Sequence, residues 1–183
     1  MIYDKNENSM ETLIPTWING ELKPVEKMKA HIQGLRHKAV SVFVMQGSKT
    51  LLQRRALSKY HTPGLWANAC CTHPEWDEVG LDCATRRLNE ELGIVGQTPV
   101  YQDTVEYSAD VGNKMVENEV VEIFVVRANK CIVRTNADEV MDYRWETLED
   151  LHKQIKSTPE KFTPWLKIYL EQHAEKIFSN YAD

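Results

Sequence analysis

The sequence lacks any long apolar run, and it has no excess of basic residues. No segment approaches the roughly 18 consecutive apolar residues of a membrane-spanning helix, so we expect no membrane partner. The first 15 residues are polar and mixed in charge, without the apolar core of a signal peptide, which leads us to expect a cytoplasmic protein. The net charge of −5 argues against nucleic acid as a partner, because the chain as a whole repels polyanions.

Cysteine is scarce as well. The chain has four cysteines, of which Cys70 and Cys71 are adjacent, and their spacing shows no framework of a small secreted protein. We therefore expect reduced thiols, which leaves Cys71 available for chemistry.

Length and composition predict one globular domain. The 183 residues are 42% apolar and 27% charged, which is ordinary for a protein with a full hydrophobic core. We find no internal repeat and no linker. Residues 1–14 are expected to form a flexible N-terminal extension, and residues 15–183 a single domain.

Apolar periodicity predicts strands interleaved with a few helices. A helical period over 79–92 ends at Gly93, which favours a helix C-terminus. Thr147 with Asp150 predicts one further helix start, and Thr163-Pro164 another. Strands are predicted at 39–45, 50–55, 65–73, 100–109, 115–127 and 142–146. The expected fold class is α/β or α+β, with a mixed sheet between flanking helices.

Two carboxylates lie in the predicted strand 115–127. Alternation places Glu117 and Glu119 on the face that continues with apolar residues, where a charge is costly unless it is paired or bound to a metal. Alternatively, both residues lie beyond the buried end of the strand, in solvent. Cys71 and His73, two residues apart in another predicted strand, share a face as well and favour a site for zinc or manganese.

Four further features have both a functional and a plain structural interpretation. His31 and His37 either complete such a metal site or lie on the surface. Glu90 and Glu91 near the end of the predicted helix either bind magnesium with a phosphate or form i,i+4 ion pairs with Arg86 and Arg87.

The basic run Arg-Arg-Ala-Leu-Ser-Lys at 54–59 suits phosphate binding, although such a run is usually a solvated turn. Trp165 is either a core residue or a ring that stabilises a cation.

Taken together, these segments resemble the Nudix superfamily. The signature spacings of that superfamily are matched by Glu78, Arg86, Leu88, Glu90, Glu91, Gly93 and Ile94. Thr72 replaces the leading glycine and Arg87 replaces the first glutamate of the helix. The second departure removes a carboxylate that hydrolases of the superfamily use, so hydrolysis is not the expected reaction.

Within that superfamily, the chain looks like the type I isopentenyl-diphosphate isomerase family, from about Val25 to Phe178. The motifs that carry the resemblance are Arg-Arg-Ala-Leu-Ser-Lys (54–59), Pro-Gly-Leu-Trp-Ala-Asn (63–68), Cys-Cys-Thr-His-Pro (70–74), Glu-Asn-Glu-Val (117–120), Asp-Glu-Val-Met-Asp-Tyr (138–143) and Phe-Thr-Pro-Trp (162–165). They occur in the order of the family.

The resemblance implies a role for each matching residue. Cys71 and Glu119 form the acid–base pair, with Tyr107 beside the glutamate and Trp165 over the carbon skeleton of the substrate. A Mn²⁺- or Zn²⁺-type ion is held by His31, His37, His73, Glu117 and Glu119. Mg²⁺ is held with the diphosphate by Glu91 and the backbone carbonyl of Cys71. The diphosphate contacts are Lys27, Arg55, Lys59 and Arg87.

The expected reaction converts isopentenyl diphosphate into dimethylallyl diphosphate. In one direction, Glu119 with Tyr107 protonates the terminal carbon, and Cys71 removes a proton from the far side as a thiolate stabilised by local positive charge. The sequence leaves open which of the two groups donates the proton. One alternative is a Nudix pyrophosphohydrolase. Another is a non-catalytic regulator that binds a diphosphate; neither explains Cys71 and Glu119 together.

Overall fold

The computed structural model describes residues 12–178. The first strand, β1 (Leu13–Ile18), begins two residues before the predicted start of the domain at residue 15. The rest of the predicted N-terminal extension falls almost wholly outside the described residues. No helix within residues 12–178 combines the length and the apolar character needed to cross a bilayer.

The fold opens with a hairpin that the sequence analysis did not predict. Strand β1 pairs antiparallel with β2 (Glu21–Glu26), and Asn19 and Gly20 turn the chain with φ values of 54° and 85°. Asn-Gly is the dipeptide that best tolerates two such positive φ angles, so the signal for this hairpin was present in the sequence. A short helix, α1 (Lys27–Ile32), follows at once.

Strand β3 (His37–Gln46) is the centre of the sheet. It runs parallel to β8 (Met115–Arg127) in a register that places His37 opposite Glu119. Strand β8 also pairs antiparallel with β7 (Val100–Gly112). On the other side, β4 (Lys49–Arg55) pairs with β9 (Val140–Thr147). The predicted fold class, a mixed sheet with flanking helices, is confirmed.

The predicted strand over 65–73 is wrong as a single element. The chain instead forms β5 (Trp66–Asn68), which pairs with β4, and β6 (Cys70–Thr72), which pairs with β3. The break comes at the buried Ala69, because the two halves hydrogen-bond to different neighbours. This change of partner sets Cys71 beside the central strand.

Helices cover both faces of the sheet. Helix α2 (Gly80–Leu92) packs on one face, where it buries residues such as Leu88 against the even-numbered valines of β3. The other face is covered by α3 (Leu148–Ser157), α4 (Pro164–Gln172) and α5 (Ala174–Phe178). Each apolar face of the sheet therefore has its own core.

Local signals define the helix ends as predicted. Gly93 takes a left-handed φ of 61° and donates its N–H to Asn89 O at 2.8 Å, while Ile94 N–H reaches Leu88 O at 3.1 Å. At the start of α3, the Thr147 hydroxyl accepts a hydrogen bond from Asp150 N–H at 3.1 Å.

Candidate active site

One pocket collects side chains from almost every motif that the sequence analysis singled out. It is lined by Lys27, Arg55, Lys59, Tyr60, His61, Cys71, Thr72, His73, Arg87, Tyr107, Glu117, Glu119 and Trp165. All the residues expected to act as catalytic groups or diphosphate contacts are in this set. Of the expected metal ligands, His31, His37 and Glu91 lie outside the lining.

The backbone brings the central residues together in two steps. Cys71 lies opposite Ser41 of β3, because β6 pairs antiparallel with that strand. His37 lies opposite Glu119 at the start of the parallel pairing between β3 and β8. The thiol, the imidazole and the carboxylate thus meet where three strands approach one another.

Glu117 and Glu119 are not in solvent, although the sequence allowed that alternative. Alternation along β8 points both into the interior, where they are 2% and 6% exposed. Two buried carboxylates need positive charge or hydrogen-bond donors nearby. The neighbouring histidines provide both.

Four buried residues meet the requirements of a metal site. One ligand atom each from His31, His37, His73 and Glu117 lies within 4.8 Å of the other three. His31 Nε2 is 3.1 Å and His37 Nε2 is 3.4 Å from Glu117 Oε2, at angles that make no hydrogen bond. Buried polar atoms that converge without bonding one another fit a shared cation.

Backbone carbonyls orient two of these imidazoles. His31 Nδ1 is 2.6 Å from Lys27 O, and His37 Nδ1 is 2.6 Å from Leu35 O. A carbonyl only accepts, so each Nδ1 carries the proton and each Nε2 is the nitrogen available to an ion.

The two glutamates near His37 favour a positive charge at its imidazole ring. Burial alone would lower the pKa of His37, but its contacts with Glu117 and Glu119 outweigh burial and raise it to about 10. A proton or a divalent cation satisfies the same demand. The cluster therefore fits the divalent metal that the sequence predicts.

Glu119 lies beside the metal cluster and bonds to two other residues. Its Oε1 is 3.0 Å from His73 Nε2, and its Oε2 accepts a 2.5 Å hydrogen bond from the Tyr107 hydroxyl. His37 Nε2 is further away, 3.8 Å from Oε1. Glu119 is thus in reach of the cluster and of the open pocket, as an acid–base residue requires.

The environment of Cys71 differs from the one expected. Burial is the main reason that the pKa of this thiol is raised, and the negative charge of Glu119 adds to the effect. Arg55 and Ser41, whose Oγ lies 2.6 Å from the sulfur, act in the opposite direction but do not prevail. Burial and Glu119 thus act against the thiolate that the sequence analysis expects, and that state stays a prediction.

Arg55 is a buried cation with no carboxylate partner among residues 12–178. It is 6% exposed, lies over the Trp165 ring at 5.3 Å, and donates to His61 O at 3.1 Å. Lys27 also lacks an ion pair within the described part of the chain, and its ammonium lies 4.8 Å from the Tyr60 ring centre. Burial, followed by the charge of Lys59, lowers the pKa of Lys27 to about 8. These cations are suited to an anion from outside the protein.

The glutamates in α2, and Glu78 just before it, are already paired with arginines. Arg86 bonds to Glu78 through two nitrogens, each at 2.7 Å. Arg87 donates to Glu91 Oε1 at 2.7 and 3.1 Å, and Gln53 donates to Glu91 Oε2 at 2.8 Å. Glu91 does not line the pocket, whereas its partner Arg87 does. Its expected role toward magnesium stays a prediction.

The sequence analysis missed His61. It is 3% exposed, and its Nε2 is 2.8 Å from Glu117 Oε1, while its ring lies 5.7 Å from that of Trp165. Burial, the largest influence, lowers the pKa of His61 to about 4. Its one sequence signal is its place between the basic run at 54–59 and Pro63.

Comparisons with known proteins agree with this geometry. The NUDIX domain family model matches residues 35–166. A protein of Dinoroseobacter shibae named isopentenyl-diphosphate Delta-isomerase is 58% identical over 174 residues, covering 94% of this chain and 99% of that protein. This chain belongs to the isopentenyl-diphosphate Delta-isomerase family of Nudix proteins. A Jannaschia protein of the same name is 56% identical over 171 residues, covering 93% of this chain and 97% of its own.

Solved structures add evidence for the fold alone. A MutT NUDIX hydrolase from Burkholderia pseudomallei has a TM-score of 0.58 at 23% identity, covering 75% of this chain and 98% of that one. A Deinococcus radiodurans protein has a TM-score of 0.70 at 14% identity, with 88% and 98% covered. The Nudix fold is therefore confirmed by sequence and by shape.

Proposed function

We propose that this protein is an isomerase that converts isopentenyl diphosphate into dimethylallyl diphosphate, with Cys71 and Glu119 as its acid–base pair. The observation that carries the proposal is that both residues line one pocket whose wall also holds four basic side chains. Such a pocket has a place for a charged diphosphate and, beside it, a place for chemistry on a short hydrocarbon. The names of the close relatives support this substrate.

Binding of the diphosphate would use the unpaired cations first. Arg55 and Lys27 have no carboxylate to release within residues 12–178, so a diphosphate would satisfy their charge without breaking an ion pair. Arg87 and Lys59 add further donors on the same wall. Fixing the charged end places the double bond at a defined depth in the pocket.

The reaction adds one proton and removes another. A proton from one member of the pair bonds to the terminal CH₂ carbon, using the electrons of the double bond and leaving a tertiary cation at the adjacent carbon. The other member then takes a proton from the carbon nearer the diphosphate, and that C–H pair forms the new double bond. The substrate gains and loses one proton each, so no oxidant or other reagent is needed.

Aromatic rings would protect the cation. Trp165 is 2% exposed and lies on the pocket wall, where the face of its indole ring can stabilise positive charge. The Tyr107 hydroxyl fixes the orientation of Glu119 by its hydrogen bond. Exclusion of water matters too, because water would trap a tertiary cation as an alcohol.

We assign the buried cluster of His31, His37, His73 and Glu117 to Mn²⁺ or Zn²⁺, with Glu119 as a further ligand within reach. Mg²⁺ bound with the diphosphate, near Glu91 and the Cys71 carbonyl, would neutralise the charged end of the substrate. For this to occur, Glu91 must exchange part of its contact with Arg87 for the ion. The cytoplasmic location expected from the sequence remains a prediction.

Deuterium incorporation tests the reaction. The protein is incubated with isopentenyl diphosphate and both metals in D₂O, and deuterium in the product and free phosphate are followed by NMR. Deuterium in dimethylallyl diphosphate without phosphate release supports isomerisation. Release of phosphate would instead support the pyrophosphohydrolase alternative, and neither change would support a protein that only binds its ligand.

A further inference from the structure

Two of the pocket cations come from different elements and share one counter-ion. Lys59 lies in the loop after β4, and Arg87 lies in the middle of α2. Glu139, just before β9, binds both: its Oε2 is 2.5 Å from Lys59 Nζ, and its Oε1 is 3.3 Å from Arg87 Nη2. Each carboxylate oxygen thus holds one cation of the pocket wall.

The backbone around Glu139 is tied to both of these elements. Ala56 N–H donates to Glu139 O at 2.9 Å, which links the loop that carries Lys59. Asn136 N–H donates to Glu91 O at 2.9 Å, which links the last turn of α2. The backbone that carries Glu139 is therefore held against the two elements that carry Lys59 and Arg87.

Glu139 does not line the pocket itself. Burial alone would raise its pKa, but the charges of Lys59 and Arg87 lower it overall, so the group is ionised. Lys59 has no other carboxylate partner among the described residues, whereas Arg87 also pairs with Glu90 and Glu91. Loss of Glu139 would therefore release Lys59 more than Arg87.

We propose that Glu139 is a positioning residue that holds Lys59 and Arg87 in place to receive the diphosphate. The flexible lysine side chain has many rotamers, and a counter-ion that selects one of them reduces the entropy lost on binding. The inference rests on the proposed function, because it names the diphosphate as the group that these cations receive.

Charge alone predicts the opposite effect, which makes the proposal testable. An ionised glutamate near the wall repels a diphosphate, so its neutralisation would strengthen binding if repulsion were dominant. If positioning is dominant, neutralisation weakens binding. The sign of the change decides between the two.

The experiment measures pyrophosphate binding by calorimetry and isomerisation kinetics for Glu139→Gln. We expect pyrophosphate affinity to fall and KM to rise by about tenfold, with kcat within about twofold of the wild-type value. Glu139→Asp should recover part of the affinity. Glu146→Gln, which removes a carboxylate of β9 that pairs with Arg144 instead, should leave both quantities unchanged.

A double-mutant cycle with Lys59→Met keeps the test valid if Glu139→Gln is less stable. In the Lys59→Met background the effect of Glu139→Gln on pyrophosphate affinity should shrink to about threefold or less. Tighter or unchanged pyrophosphate binding by Glu139→Gln, or full additivity in the cycle, would overturn the proposal. Absence of isomerisation by the wild-type protein would instead count against the proposed function, since the binding measurement does not depend on turnover.

Discussion

Carboxylates cluster in two regions of this molecule. In one region their neighbours are histidines, and in the other they are arginines. At the ends of the central strands, Glu117 is surrounded by imidazoles whose Nε2 atoms face it without forming hydrogen bonds. In α2 and just before it, the carboxylates of Glu78, Glu90 and Glu91 bond directly to Arg86 and Arg87. The first region can accept a cation, while the second already contains its own.

Part of this difference comes from one departure from the Nudix signature. Arg87 stands where the Nudix signature has a glutamate, and its guanidinium contacts Glu90, Glu91 and Glu139. A guanidinium keeps its charge at any ordinary pH, so it remains an ion-pair partner of these carboxylates. Imidazole is a ligand when neutral, and this makes the strand region the better metal site.

The largest effect should come from the proposed acid–base pair. Cys71→Ala and Glu119→Gln should each lower kcat by at least about 10³-fold, because each removes a group that we propose to handle a proton in the transition state. Cys131→Ala, which removes a cysteine outside the pocket, should keep the wild-type rate. Steady-state assays with isopentenyl diphosphate, together with circular dichroism, measure activity and fold. Activity near wild type in either variant would remove that residue from the mechanism.

The next effect compares the two carboxylate regions directly. Glu117→Gln should weaken binding of Mn²⁺ or Zn²⁺ by at least about 100-fold, since it removes the one charged ligand of the buried four-residue cluster. Glu90→Gln, on the exposed side of α2, should keep the wild-type affinity. Metal analysis after dialysis and calorimetric titration provide the values. Equal losses of metal affinity in the two variants would contradict the distinction between the two carboxylate regions.

A smaller effect is expected at Arg55, a buried cation without a carboxylate partner among residues 12–178. Arg55→Lys should raise KM by roughly tenfold with a lesser change in kcat, because lysine cannot reproduce the planar contact with Trp165. Arg54→Lys is the matched control: its Nε donates to Gly64 O at 2.9 Å, outside the pocket. Initial-rate kinetics give the KM of each variant, and only that of Arg55→Lys should rise. An unchanged KM in Arg55→Lys would argue against a diphosphate at this wall.

The smallest effect concerns the helix that carries the ion-paired carboxylates. Gly93→Ala should lower the free energy of unfolding by about 2 kcal/mol, because φ is +61° and the new Cβ would lie 2.8 Å from Arg134 O. Gly96→Ala, at φ +69° with open space around it, should cost only about 1 kcal/mol. Denaturant unfolding measures both. Metal affinity at the strand cluster should not change in either variant, and a change there would mean that the two regions are coupled.

The sequence predicted those parts of the fold that rest on local periodicity. Alternation in β8 placed Glu117 and Glu119 on the inner face, and the helical period ending at Gly93 located α2 to within one residue. The Asn19-Gly20 turn is an equally local signal, although it is not among the sequence predictions. Lys27 and Trp165 are far apart along the chain, so periodicity could not place them in one site. Only the family resemblance predicted that they belong together.

Other features depend on tertiary contacts that no local pattern encodes. The strand breaks at Ala69 because β5 pairs with β4, whereas β6 pairs with β3. His61 reaches Glu117 only through the path of the loop after β4. The raised pKa of Cys71 follows from burial and from Glu119, which lies 48 residues away in sequence.

The central claim is that a five-carbon diphosphate lies between Cys71 and Glu119, and a crystal structure with an unreactive analogue of isopentenyl diphosphate tests it most directly. We expect the diphosphate on Arg55 and Lys27, and the hydrocarbon within about 4 Å of both Cys71 Sγ and a Glu119 oxygen. A hydrocarbon chain that lies outside this gap, with the diphosphate bound elsewhere, would contradict the account.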